Sequence, residues 1–125
     1  MRPERTECLS MERKDKTIVN KMLLYCEDIE NANKHFEDSK ELFFDDNQGR
    51  VYRNAVSMPI LQIGELAKHL SDDFVARHSI IPWKQIIRMR DLFAHHYGNT
   101  DYIYVWDTAH DDIQELKSYL LSITQ

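Results

Sequence analysis

The sequence predicts one all-α domain, an up-and-down helical bundle. Apolar residues recur at steps of three and four along most of the chain, the spacing that lines them up on helix faces. No stretch shows strand-like alternation, and no internal repeat appears. With 125 residues, 42% of them hydrophobic, and only three glycines and three prolines, the chain can bury one core and has no room for a second domain.

Residues 1–14 are polar, contain Pro3, and read as a disordered tail or a product of start-site choice, so the folded domain is expected to span 15–125. Ile18, Met22, Tyr25, Ile29, Ala32 and Phe36 define a first helix. Asp38-Ser39 followed by Glu41 suits the cap of a short turn carrying Leu42, Phe43 and Phe44, and the run Asp45 to Gly49 ends it. A second helix places Tyr52, Val56, Ile60, Ile63, Ala67 and Leu70 on one stripe, with Ala55, Met58 and Leu66 beside it, a face wide enough for the centre of a bundle. Pro59 inside it deletes a hydrogen bond and crowds the preceding turn, which predicts a bend. After a short helical piece near Asp72 to Arg77, Pro82 opens a third helix close to Trp83 that runs toward Tyr97. Gly98 then supplies a left-handed stop, and Asn99, Thr100 and Asp101 can cap the next helix. So short a link makes the third and last helices antiparallel neighbours. The last is expected to be the most regular, with Tyr102, Trp106, Ala109, Ile113, Leu116, Leu120 and Ile123 in period throughout.

No apolar run approaches a membrane span, and the charged N-terminus does not suit a signal peptide, so a cytoplasmic protein is expected. The two cysteines, Cys8 and Cys26, make neither a disulfide framework nor a zinc spacing. A formal charge of −5 argues against a protein that coats nucleic acid indiscriminately, because such binding runs on phosphate neutralisation. The charge is segregated, however: Arg77, His78, Lys84, Arg88, Arg90, His95 and His96 face a single acid, Asp91, between positions 77 and 97.

The third helix concentrates the chemistry. Its stripe Trp83, Ile87, Arg90, Ala94, Tyr97 is apolar except for Arg90, whose guanidinium therefore needs a carboxylate, a partner chain or an anionic ligand. Glu65 or an acid of the last helix would serve as a plain structural partner. His95 and His96 lie in the last turn, where the helix dipole favours a cationic imidazolium, and histidine also titrates near neutral pH as a proton-transfer group does. Asp91 and His95 share a face but lack further ligands by spacing, so no metal site is expected. Arg90 and Tyr97 share a face as well, whereas the five-residue step from Arg90 to His95 turns about 140°. The two converge only if the helix end loosens or another subunit completes the site.

The run from Trp83 through Ile86-Ile87, Met89-Arg90 and His95-His96-Tyr97, with Ile63-Gly64-Glu65 before it and Asp101 to Trp106 after it, resembles the HepT-like HEPN proteins from about residue 16 to the end. The family signature, Arg, four residues, His, one residue, Tyr, falls on Arg90, His95 and Tyr97, with Asp91 where the pattern most often has Asn. The resemblance implies a homodimeric helical bundle and a metal-independent endoribonuclease, needing no cofactor, that is the toxin of a toxin–antitoxin pair. Its antitoxin would be a minimal nucleotidyltransferase (MNT) that silences it by transferring AMP to Tyr97. His95 would serve as acid or base in attack of the RNA 2′-hydroxyl on the adjacent phosphate, and Arg90 would hold that phosphate. Glu65 would support Arg90 or His95, and Asp91 and His96 stand beside the signature without an assigned catalytic step. Two other readings compete: an inactive HEPN-like dimer that only binds a nucleotidyltransferase or nucleotide, and a structural dimer built on Phe43, Phe44, Tyr102 and Tyr104.

Overall fold

The computed structural model describes residues 11–95 and 101–124, with residues 91–95 described by backbone alone. No strand occurs among the described residues. The elements are α1 (Arg13–His35), α2 (Lys40–Phe43), α3 (Arg50–Ala67), α4 (Asp72–Arg77) and α5 (Trp83–His95), followed by a C-terminal rod. That rod comprises α6 (Tyr102–Asp107), a π-helical turn (Thr108–Asp112) and α7 (Ile113–Thr124).

α3 lies at the centre. It packs against α1 on one side and α5 on another, while the rod closes against α1 and α3. The stripes predicted for these helices supply the core: Ile18, Met22 and Ile29 from α1, and Tyr52, Val56, Ile60, Ile63 and Ala67 from α3, are buried. Burying one such large apolar side chain is worth about 1.5–3 kcal/mol, so packing rather than propensity holds the helices. Tyr52 carries its hydroxyl into this core and donates it to Asn33 Oδ1 at 2.6 Å, so the polar atom is not orphaned. Ser39 and Asp101 cap as the sequence suggests, and Ser71 adds a third cap: their side chains accept from backbone N–H groups at the starts of α2, α6 and α4 respectively.

Several details depart from expectation. α1 begins at Arg13, inside the span read as a tail, and Met11 packs on the core. The physical reason is Asp15, which is 2% exposed and accepts from Ser71 N at 2.9 Å and Ser71 Oγ at 2.6 Å. The start of α1 is thereby tied to the residue that caps α4. Met58 is 55% exposed, so the apolar face of α3 is narrower than predicted. The last helix is not regular, because the π turn interrupts it; steps of three and four in sequence also span a widened turn. Ahead of that turn Val105 is the buried residue, while Trp106 sits against the rings of Phe43, Phe44, Tyr52 and His110.

Two polar contacts can be tested in solution. Asp15→Ala leaves the Ser71 amide without its acceptor and is expected to lower unfolding free energy by about 1.5–3 kcal/mol in a denaturant titration; an unchanged midpoint would show that the staple carries no weight. His78 donates or accepts at Tyr119 Oη, 2.6 Å away, and burial followed by the nearby Arg77 charge holds its pKa below the usual 6.5. The unfolded chain therefore binds the extra proton first, so stability falls as pH drops through and below about 6.5. His78→Asn is expected to flatten the melting-temperature profile between pH 7.5 and 5.

Candidate active site

The close approach of α3 and α5 brings together the two charged residues that sequence pattern linked only loosely. Arg90 Nε donates to Glu65 Oε2 at 2.6 Å. The side chains are 26% and 41% exposed, so the pair sits at the edge of the helix interface with one flank toward solvent. The approach is possible because Gly64 faces α5. A Cβ at this position would lie 2.6 Å from Arg90 Cβ and 2.9 Å from the Ile86 carbonyl oxygen.

The buried face of α5 differs from the predicted stripe. Trp83 and Met89 are buried, Ile86, Ile87 and Arg90 are half-buried, and Lys84 and Arg88 are exposed. Arg90 thus borders the apolar face, and Glu65 supplies the compensation a guanidinium there requires. The start of α5 is anchored separately, by Trp83 Nε1 donating to the His78 carbonyl at 3.0 Å and by the ring of Phe74 against that of Trp83.

Asp91 and His95 lie on the last turns of α5, and their side chains fall outside the described residues. His96 and Tyr97 fall outside them altogether, as does Gly98. Among the sequence-predicted site residues, the structure therefore joins Arg90 to Glu65. A helical backbone from Arg90 to His95 keeps the two residues about 140° apart around the axis of α5.

A cavity of about 220 Å³ lies between α3, α5 and the rod, with Ile63, Ile86, Met89, Ile113 and Leu116 in its wall. Asp112 and Glu115 are its charged lining, and neither Glu65 nor Arg90 contributes to it. Burial, then the charges of Glu115, Asp111 and Asp107, push the Asp112 carboxyl above the ordinary carboxylate range. A phosphate is disfavoured in this cavity. Cys26 is buried and its thiol is pushed up to about 12, chiefly by burial, which makes it inert.

Sequence reasoning missed the packing role of Gly64. A signal was present: a glycine inside a helical pattern costs about 1 kcal/mol relative to alanine, and close backbone approach is the usual reason to find one there. The Asp15 to Ser71 contact left no comparable signal, since the partners are far apart in sequence.

The family model described as Ribonuclease HepT-like matches residues 22–123. A protein named "Probable ribonuclease HepT" from Thermococcus cleftensis is 36% identical over 95 residues, 74% of this chain and 86% of its own length. A protein bearing an RNase name from Methanocaldococcus jannaschii is 34% identical over 102 residues, covering 82% of this chain and 80% of its own. Another from Caldanaerobacter subterraneus is 31% identical over 101 residues, 74% of this chain and 90% of its own. No solved structure matches the chain. No described helix is long and apolar enough to cross a membrane. With a family model matching over most of its length and relatives more than 30% identical, the chain belongs to the HepT-like ribonuclease family.

Proposed function

We propose that this protein is a metal-independent endoribonuclease, the toxin of a toxin–antitoxin pair, with Arg90 and His95 as its catalytic residues. The observation that carries this reading is the Arg90 to Glu65 contact: a guanidinium held at a defined place on the helix whose last turn bears His95. Arginine suits the task because its planar donors match phosphate oxygens in a way an ammonium does not.

In the reaction a base takes the proton of the RNA 2′-hydroxyl, and the 2′-oxygen attacks the adjacent phosphorus. The bond from phosphorus to the 5′-oxygen breaks as that oxygen is protonated, leaving a 2′,3′-cyclic phosphate and a 5′-hydroxyl. Arg90 neutralises the charge that grows on the phosphoryl oxygens, while His95 handles one of the two protons. The angular separation of Arg90 and His95 on α5 favours a homodimer in which a second copy of this helix end completes each site. Lys84 and Arg88 are exposed on the same helix and joined to no ion pair among the described residues, but stand about 120° and 160° around its axis from Arg90, so they add charge to the helix and not to the Arg90 face.

Silencing would come from an MNT-type nucleotidyltransferase. The Tyr97 oxygen bonds to the α-phosphorus of ATP, pyrophosphate leaves, and the resulting phosphodiester places a negative charge where RNA phosphate must enter. Asp91 and His96 are neighbours of this machinery without an assigned step. The protein is expected to act in the cytoplasm, with the helical domain from α1 onward as its functional unit.

Cleavage of an RNA panel in EDTA is expected from the parent protein, with cyclic-phosphate ends and no cut at a 2′-deoxy substitution. Arg90→Ala and His95→Ala are each expected to lower the rate at least 10²-fold, the usual span for losing a transition-state donor or a general acid–base group; variants as active as the parent would end this assignment. With a cognate nucleotidyltransferase and ATP, intact mass should rise by an adenylyl group and cleavage should stop. Tyr97→Phe should keep cleaving and keep its mass, and a Tyr97→Phe protein that is still adenylylated would remove Tyr97 from the scheme.

A further inference from the structure

We infer that Gly64 is a positioning residue for Arg90, setting how closely α5 approaches α3. The inference rests on the reading of Arg90 as a catalytic group. A Cβ built on Gly64 would meet Arg90 Cβ at 2.6 Å, the Ile86 carbonyl oxygen at 2.9 Å and Arg90 Cα at 3.5 Å. None of these atoms belongs to the flexible end of a side chain, so none can rotate away. A methyl group here must displace α5 itself, by about 1 Å to restore ordinary carbon–carbon separation.

The same short stretch of α3 controls the other coordinate of the site. Glu65 follows Gly64 directly and accepts from Arg90 Nε at 2.6 Å, so distance and orientation are set by adjacent residues. Position 64 is buried mid-helix, where alanine is the better helix former by about 1 kcal/mol. Helix propensity therefore opposes glycine at this position, and the close contact with Arg90 accounts for it. A displacement of about 1 Å at a reacting group can cost on the order of 10²-fold in rate, far more than the half-exposed ion pair is worth in stability.

The test compares the full-length parent, Gly64→Ala and Ala67→Val, the last overpacking another buried position of the same helix. Each is followed by thermal melting, by kcat and KM for RNA cleavage, and by the NMR resonance of the Arg90 Nε–H. Gly64→Ala is expected to fold, to shift the Nε–H resonance, and to lose about 10²-fold in kcat with a smaller change in KM. Ala67→Val is expected to lose stability while keeping the resonance and the kcat. An unshifted resonance with parental kcat in Gly64→Ala would overturn the inference, as would equal losses of kcat in both variants. Should Gly64→Ala fail to fold, nuclear Overhauser contacts between Gly64 Hα and Arg90 Hβ in the parent decide the matter: their presence supports the contact and their absence refutes it. A parent that cleaves no RNA would defeat the ribonuclease reading, while the resonance would still report whether Gly64 positions Arg90.

Discussion

The contact between α3 and α5 at Gly64 is the constraint on which the rest of the site depends. α3 is the central helix, and α5 reaches it closely enough that an added methyl would overlap Arg90 Cβ and the Ile86 carbonyl. That closeness lets a half-buried guanidinium at an apolar border meet Glu65. The ion pair itself is worth little, about 0.2–1 kcal/mol at such exposure. Its value is geometric: it fixes where a positive charge stands at the edge of the helix interface.

α5 is secured at its start and along its middle. Trp83 donates to the His78 carbonyl, His78 in turn meets Tyr119 on α7, and Met89 is buried. The chain leading into α5 is secured as well, because Asp15 at the start of α1 holds the Ser71 cap of α4. These contacts link α1, α4, α5 and α7 through polar groups that are each satisfied. The helix that carries the signature is therefore anchored ahead of its final turns.

Charge separates across the same helix. Lys84, Arg88 and Arg90 lie on α5, whereas Asp107, Asp111, Asp112 and Glu115 crowd the rod. The apolar cavity between the two takes its charged lining from the rod alone. In a chain of net charge −5, these basic side chains thus share the helix that bears the family signature.

Periodicity and capping residues were legible in the sequence because they are local. The stripes of α1 and α3, the caps Ser39 and Asp101, and the start of α5 after Pro82 all depend on residues within a few positions of one another. The signature at Arg90, His95 and Tyr97 was legible for the same reason, and so was the need of Arg90 for a compensating acid. The π turn was hidden, since a widened turn keeps spacings that also fit an α-helix. The choice of Glu65 over an acid of the last helix, the entry of Asp15 into the core and the meeting of Gly64 with Arg90 required the tertiary structure. Each joins positions far apart in sequence, and the distance between packed helices decides them, a quantity that no local pattern of residues encodes.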